Sequence, residues 1–277
     1  MNLEKYQQLS ESEKSAFIKK RYEKQQPYEV KDVTSPYATS RDWNMRELEI
    51  QFILENLPRK AREILDIGCG NGYTDFRIAE RCKCDILGID FSYPLLNATN
   101  KLRQQFTLKG DVRFHRKDVT SLESLQLKFD VILSERLLTN MASRKIQTSV
   151  IRTIYNTLKI AGTFIMIEGS LNGLYAMNRM RQQFGLESIP NRDKDNVQSL
   201  KFVEGQLERY IKPMFVIVKK QHWGMYYFIS RVIHPMLVSP KEPRFDASMN
   251  VVARKIATKL PEHETTGHVV GYALQKI

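Results

Sequence analysis

Residues 63–72 read Glu-Ile-Leu-Asp-Ile-Gly-Cys-Gly-Asn-Gly, and this stretch narrows the possible folds more than any other. An apolar run, Ile64, Leu65 and Ile67, carries one acid, Asp66, and breaks into Gly68-x-Gly70-x-Gly72. A helical pattern follows at once with Tyr73, Phe76, Ile78 and Ala79. The order is strand, glycine loop, helix. Side chains at the glycines would keep the backbone from closing on a nucleotide-like ligand. The spacing differs from the G-x-G-x-x-G that serves a pyrophosphate. The acid sits two residues before the first glycine, which suits a ligand carrying a charged amino group better than a phosphate.

Further strand ends carry acids at the spacing a doubly wound sheet requires. Cys84–Asp90 reads as a second buried strand, and Asp90 falls 18 residues after Gly72, where such folds place a ribose-binding carboxylate. Val112–His115 leads into Lys117-Asp118-Val119, and Phe129–Leu133 leads into Ser134-Glu135-Arg136. Thr163–Ile167 ends at Glu168. The series, in order from about 63 to 168, resembles the class I S-adenosylmethionine-dependent methyltransferases. The resemblance implies a doubly wound, mostly parallel, seven-stranded α/β sheet of the Rossmann-like methyltransferase type. The segments around Ser134-Glu-Arg, Glu168-Gly-Ser and His222-Trp-Gly are also similar to uncharacterised methyltransferases associated with bacterial surface-polysaccharide gene clusters.

Composition agrees with a soluble α/β enzyme. The 277 residues are 42% hydrophobic and 27% charged, enough to bury a substantial core. No apolar run reaches the ~20 residues of a membrane span, and the polar start has no signal-peptide core. Three cysteines, Cys69, Cys82 and Cys84, form no disulfide framework, so reduced thiols and a cytoplasmic location are expected. Cys82-x-Cys84 is too tight for the usual zinc pairing, and no metal is expected. The net charge is +12, and residues 169–277 alone hold 16 basic against 9 acidic side chains. A positive field favours an anionic partner.

The periodicity divides the chain into four parts. Residues 1–60 form a helical segment, interrupted by Pro27 and Pro36, whose helix Asn44–Leu57 lies over the cofactor by analogy with the family. Residues 61–220 form the core, with helices expected at Tyr73–Arg81, Tyr93–Leu108, Ser143–Leu158 and Gly173–Phe184. A sixth strand is expected at Met214–Lys219 and a seventh at Val269–Gln275. About 45 residues separate them, too many for a hairpin loop, so residues 221–267 read as a structured substrate cap with a helix at Ala247–Leu260. Residues 268–277 return to the sheet.

The resemblance implies a role for each motif residue. Asp66 and the backbone of Gly68, Cys69, Gly70 and Gly72 would hold the methionyl part of S-adenosylmethionine. Asp90 would accept from both ribose hydroxyls, and Phe91 would pack on the adenine. Asp118 and the Val119 amide would meet the adenine edge, a turn cap being the other reading of Asp118. The backbone near Ser134 would meet the amino group. Trp43 and Arg46, with Tyr37, are candidate lid residues, although Trp43 also suits simple core packing.

The acceptor side is less constrained. Ser134-Glu-Arg-Leu-Leu is not the Asn/Asp-Pro-Pro-Tyr of amine-modifying nucleic-acid enzymes, and no cysteine stands where a 5-methylcytosine enzyme needs its nucleophile. The resemblance and the charge together imply methyl transfer, foremost to oxygen, on a polar anionic small molecule such as a sugar phosphate or nucleotide sugar. An RNA or protein acceptor, or a non-catalytic cofactor-binding subunit, are the alternatives. Arg136, Arg231 and Tyr226 are the candidate acceptor contacts. A hydroxyl acceptor benefits from a base, and His222, His234 and Glu135 are the candidates among the five histidines and the strand-end acids. An ionised acceptor needs none.

Overall fold

The computed structural model describes residues 1–24, 35, 37–38, 40–193, 196–260 and 265–277, with nothing said of the Ser124 side chain. Pro27, Pro36 and His263 lie outside the described residues. Two helices, α1 (Leu3–Gln8) and α2 (Glu11–Lys24), open the chain, and α3 (Trp43–Asn56) follows. Asp42 caps α3 by accepting from the Met45 amide at 3.2 Å, satisfying an amide the first turn leaves unpaired.

The core then alternates: β1 (Glu63–Ile67), α4 (Tyr73–Ala79), β2 (Asp85–Asp90), α5 (Tyr93–Arg103), β3 (Asp111–Arg116), β4 (Phe129–Glu135), α6 (Arg144–Thr157), β5 (Leu158–Gly169), α7 (Leu171–Gln183), α8 (Glu204–Ile211) and β6 (Phe215–His222). Short 3₁₀ turns, Val119–Leu125 and Leu138–Asn140, flank β4. Between β6 and β7 (Val269–Lys276) the chain builds α9 (Gly224–Phe228), a π turn (Ile229–Ile233), α10 (His234–Val238) and α11 (Ser248–Lys259). The seven strands form one sheet in the order β3-β2-β1-β4-β5-β7-β6. The first five are parallel; β7 runs antiparallel to both β5 and β6.

Alternation along each buried strand separates two cores. Ile64, Val131, Leu133, Ile165 and Ile167 face one side with α3, α4 and the aromatics Trp223, Tyr226 and Tyr227 of the segment between β6 and β7. Leu65, Ile67, Ile132, Phe164 and Met166 face the other with α6, whose Val150, Ile151 and Ile154 recur at helical spacing. Strand β5 is longer than the five residues expected. It runs from Leu158, and a register shift between Phe129 and Val131 of β4 absorbs the Ala161 turn, where φ is +57°. Helix α5 stops at Arg103, five residues before the expected Leu108.

Candidate active site at the strand ends

The strand order reverses at β1, between β2 and β4. A doubly wound sheet opens a crevice at such a point, beyond the carboxyl ends of its strands. A cleft of about 240 Å³ lies there, lined by Asp66, Gly68, Cys69, Gly70, Asp90, Phe91, Asp118, Val119, Glu135 and Arg136 among others.

The glycine loop forms a tight cradle. Gly68, Gly70 and Gly72 have φ of +78°, +60° and +77°, which L side chains rarely adopt. A Cβ on Gly72 would sit 2.4 Å from Phe114 Cζ. The Gly68 and Cys69 amides donate to the Ile89 carbonyl at 2.8 and 3.1 Å. Asp90 accepts from the Gly70 amide at 2.9 Å and the Ser92 amide at 2.8 Å, so its carboxylate is locked to the loop with lone pairs left over. Burial pushes the Asp90 carboxyl up, against these amides.

Asp66 shares its buried space with Asp75 of α4. Burial first, then the neighbouring carboxylates (Glu135 for Asp66, Asp66 for Asp75), raise both groups. Asp75, whose carboxyl is held protonated, shares a hydrogen bond with Asp66, and Asp66 lines the cleft. A carboxylate there attracts an ammonium group and repels a phosphate, so the site fits the amino end of S-adenosylmethionine. Asp75 escaped the sequence reading, although an acid in the first turn after the glycine loop was there to be noticed.

Asp118 is both a cleft-lining residue and a turn cap. It lines the cleft, yet its carboxylate accepts from the Thr120 amide and hydroxyl at 2.9 and 2.7 Å and pairs with Lys19 at 2.5 Å. Burial works against its charge, but Lys19 and Thr120 outweigh this and hold the carboxyl below its ordinary value. Lys19 belongs to α2, which lays Ser15, Ile18, Lys19 and Tyr22 on the cleft. Tyr22 meets Phe91 edge-on at 6.1 Å, its carbonyl accepts from Ser92 Oγ at 3.1 Å, and Glu23 pairs with Arg116 at 2.8 Å. The covering helix is thus α2, with only Arg46 and Glu49 of α3 contributing. The i, i+3, i+4, i+7 stripe of those α2 side chains was the available signal. Trp43 does not line the cleft; it packs on Tyr37 at 5.5 Å, with the Arg254 guanidinium 4.9 Å from its ring.

At the acceptor end, Glu135 Oε2 accepts from Thr74 Oγ1 at 2.7 Å, and Arg46 Nη2 reaches the same hydroxyl at 3.4 Å. Arg136 takes φ of +57° and turns its Nε to Glu49 Oε1 at 3.0 Å. Burial foremost pushes the Glu49 carboxyl up to about 7, despite Arg136. The Ser134 hydroxyl does not face the cleft; it donates to Glu168 at 2.8 Å. Glu168 also accepts from the Leu138 and Thr139 amides at 2.9 and 2.8 Å, which anchors the loop after β4.

Four other candidates lie away from the cleft lining. His222 is buried with Nε2 3.2 Å from Glu204, which also binds Lys220 at 2.6 Å and the Ser170 hydroxyl. His234 is buried beside Asn250. Arg231 and the Tyr226 hydroxyl both bind the carboxylate of Asp42, tying the insertion between β6 and β7 to the start of α3; no described residue of that insertion, expected as a substrate cap, lines the cleft. Neither histidine is brought to Glu135, so of the three candidate bases only Glu135 stands at the cleft. No helix among the described residues is long and apolar enough to cross a membrane.

A family model described as a methyltransferase domain matches residues 58–224, from the end of α3 into α9. The chain belongs to this methyltransferase family. S-adenosylmethionine is the cofactor of the family, and the cradle just described fits it. Among its relatives, phosphoethanolamine N-methyltransferase 3 of Arabidopsis thaliana is 30% identical over 110 residues, covering 40% of this chain and 21% of that protein. A tRNA U34 carboxymethyltransferase of Sulfurimonas denitrificans is 28% identical over 135 residues, covering 49% and 43%. The match thus spans only about a fifth of the plant relative's length. The N-methyltransferase NodS of Bradyrhizobium japonicum WM9, solved with S-adenosyl-L-homocysteine, superposes with a TM-score of 0.51 at 11% identity, covering 95% of this chain and 98% of that one. At that identity the likeness speaks for the fold alone.

Proposed function

We propose that this methyltransferase domain transfers a methyl group from S-adenosylmethionine to an oxygen of a small polar acceptor that carries an anionic group. The observation that carries the reading is the cleft in which α2 lays side chains at one end while Arg46, Glu135 and Arg136 line the other. The bound cofactor supplies an electrophilic methyl on a sulfonium centre. The protein supplies position and charge. Asp90 would hold the ribose, Asp66 the ammonium, and Asp118 and Phe91 the adenine, under α2. The Arg46 and Arg136 guanidiniums suit an oxyanion, and Glu135 at the end of β4 can take the proton of a hydroxyl acceptor. The plant relative's name pairs a phosphate with a methylated amine, which supports a phosphorylated acceptor and makes nitrogen the rival atom. The +12 charge and the tRNA relative favour RNA as the competing acceptor; a cleft of about 240 Å³ favours the small molecule.

Calorimetry with S-adenosylhomocysteine tests the cofactor half. Asp90→Ala should weaken binding by about 1.5–3 kcal/mol, the scale of hydrogen bonds to a charged group. Absence of binding by the wild-type protein defeats the reading. A screen for S-adenosylhomocysteine release should respond to phosphorylated or carboxylated hydroxy metabolites; turnover with RNA alone would replace the small-molecule acceptor.

A further inference from the structure

A second polar cluster, which the cofactor does not need, joins α9 to the turn before β7. Tyr227 of α9 and His268, just before β7, bring their rings to 4.9 Å at 60°. The Tyr227 ring lies against the backbone of Gly267, where φ is +104° and a Cβ would fall 2.0 Å from Tyr227 Cδ2. The neighbouring backbone is fixed as well, since the Gly267 amide donates to the Gly173 carbonyl at 3.0 Å and the Ser170 amide to the His268 carbonyl at 2.9 Å. In this rigid setting the Tyr227 hydroxyl and His268 Nδ1 are both buried without a hydrogen-bond partner. Buried polar atoms are nearly always satisfied, so a pair of orphans on adjacent rings marks a place where a hydrogen-bonding ligand would be held.

The surrounding charge identifies its sign. The Arg231 guanidinium lies 5.9 Å from the Tyr227 ring centroid. His268 feels Arg231, Lys201 and Arg136; Tyr227 feels Arg136, Glu49, Arg231 and Asp42. The acids that face the site are therefore Asp42, bound to Arg231, and Glu49, whose carboxyl burial has raised to about 7. Lys201 donates to Asn191 and Ser199. Burial first and these cations next hold the imidazole well below its ordinary pKa, and burial raises the phenol. Both rings are thus neutral at pH 7, each with a hydrogen to donate, inside a cationic frame. Arg136, whose charge both rings feel, also lines the cofactor cleft.

We propose that Tyr227 and His268, framed by Arg136, Arg231 and Lys201, form the subsite that receives the oxyanion of the methyl acceptor, a phosphate monoester. The inference rests on the anionic-acceptor reading above and names the residues that recognise the anion. Both rings donate hydrogen bonds to phosphoryl oxygens while the frame neutralises the charge, which sets the rest of the acceptor across Arg136 toward Glu135 and the methyl group.

The test uses the full chain loaded with S-adenosylhomocysteine and inorganic phosphate as the probe. Imidazole NMR signals, with His268 assigned from His268→Asn, are followed during phosphate titration. A saturable shift of the His268 signals is expected, with its pKa moving upward as the anion binds. Tyr227→Phe keeps the ring against Gly267 and removes only the hydroxyl. It should weaken phosphate binding at least tenfold while S-adenosylhomocysteine affinity stays within about twofold. No saturable shift, or equal phosphate affinity in Tyr227→Phe, overturns the subsite. Failure of the wild-type protein to bind S-adenosylhomocysteine overturns the underlying reading instead.

Discussion

Lys19 Nζ lies 2.5 Å from the Asp118 carboxylate, joining the covering helix α2 to the end of the third strand. The side chains are 52% and 24% exposed, so solvent screens the pair and its share of folding stability is at most about 1 kcal/mol. Its consequence is local. Lys19→Ala should leave the urea midpoint almost unchanged yet let S-adenosylhomocysteine leave several-fold faster, because α2 loses one of its ties to the cleft. Stopped-flow displacement measures this, and an unchanged dissociation rate would show that α2 is held by its other contacts.

Gly72 separates two causes of glycine dependence. Its φ is +77° and an added Cβ would meet Phe114 Cζ at 2.4 Å, whereas Gly185 has φ of +70° with nothing within 4 Å. Left-handed backbone costs an alanine roughly 1–2 kcal/mol, and crowding a packed ring adds roughly 1–3 kcal/mol. Gly72→Ala should therefore destabilise by roughly 2–5 kcal/mol, and Gly185→Ala by no more than the backbone share. Urea unfolding of both variants decides it; equal losses would mean that Phe114 moves aside freely.

Glu204 should make the fold acid-sensitive. Burial opposes its charge, but His222, Lys220 and Ser170 outweigh burial and bring the carboxyl from 4.5 down to about 2. A carboxyl depressed in the folded state binds its proton more readily when unfolded. Its stabilisation is complete above pH 4.5 and is lost as pH falls toward 2. Glu204→Gln should flatten that part of the stability–pH profile and lower stability at pH 7. An unaltered acid slope in the variant would assign the acid response to other carboxyls.

What could be read from the chain alone was chemistry that sits at the end of its own strand. Asp66, Asp90, Asp118 and Glu135 each lie within two residues of the carboxyl end of a strand. Parallel strands with right-handed crossovers bring such ends to one edge of the sheet. The seven-stranded, mostly parallel sheet was implied by the resemblance, and its order came from the structure. What the chain alone could not decide was direction at longer range. His222 closes β6 as an attractive base, but successive strand residues face opposite sides, and its side is where α8 delivers Glu204. Arg231 turned to Asp42, 189 positions earlier in the chain, and Lys19 reached Asp118 from a helix near the start of the chain. His268, without an apolar frame in sequence, came to rest against Tyr227. Local sequence determined the strand ends because backbone sterics and alternation act over a few residues. Tertiary structure decided the partners of the charged side chains, because a buried charge takes whichever opposite group the packing brings within reach.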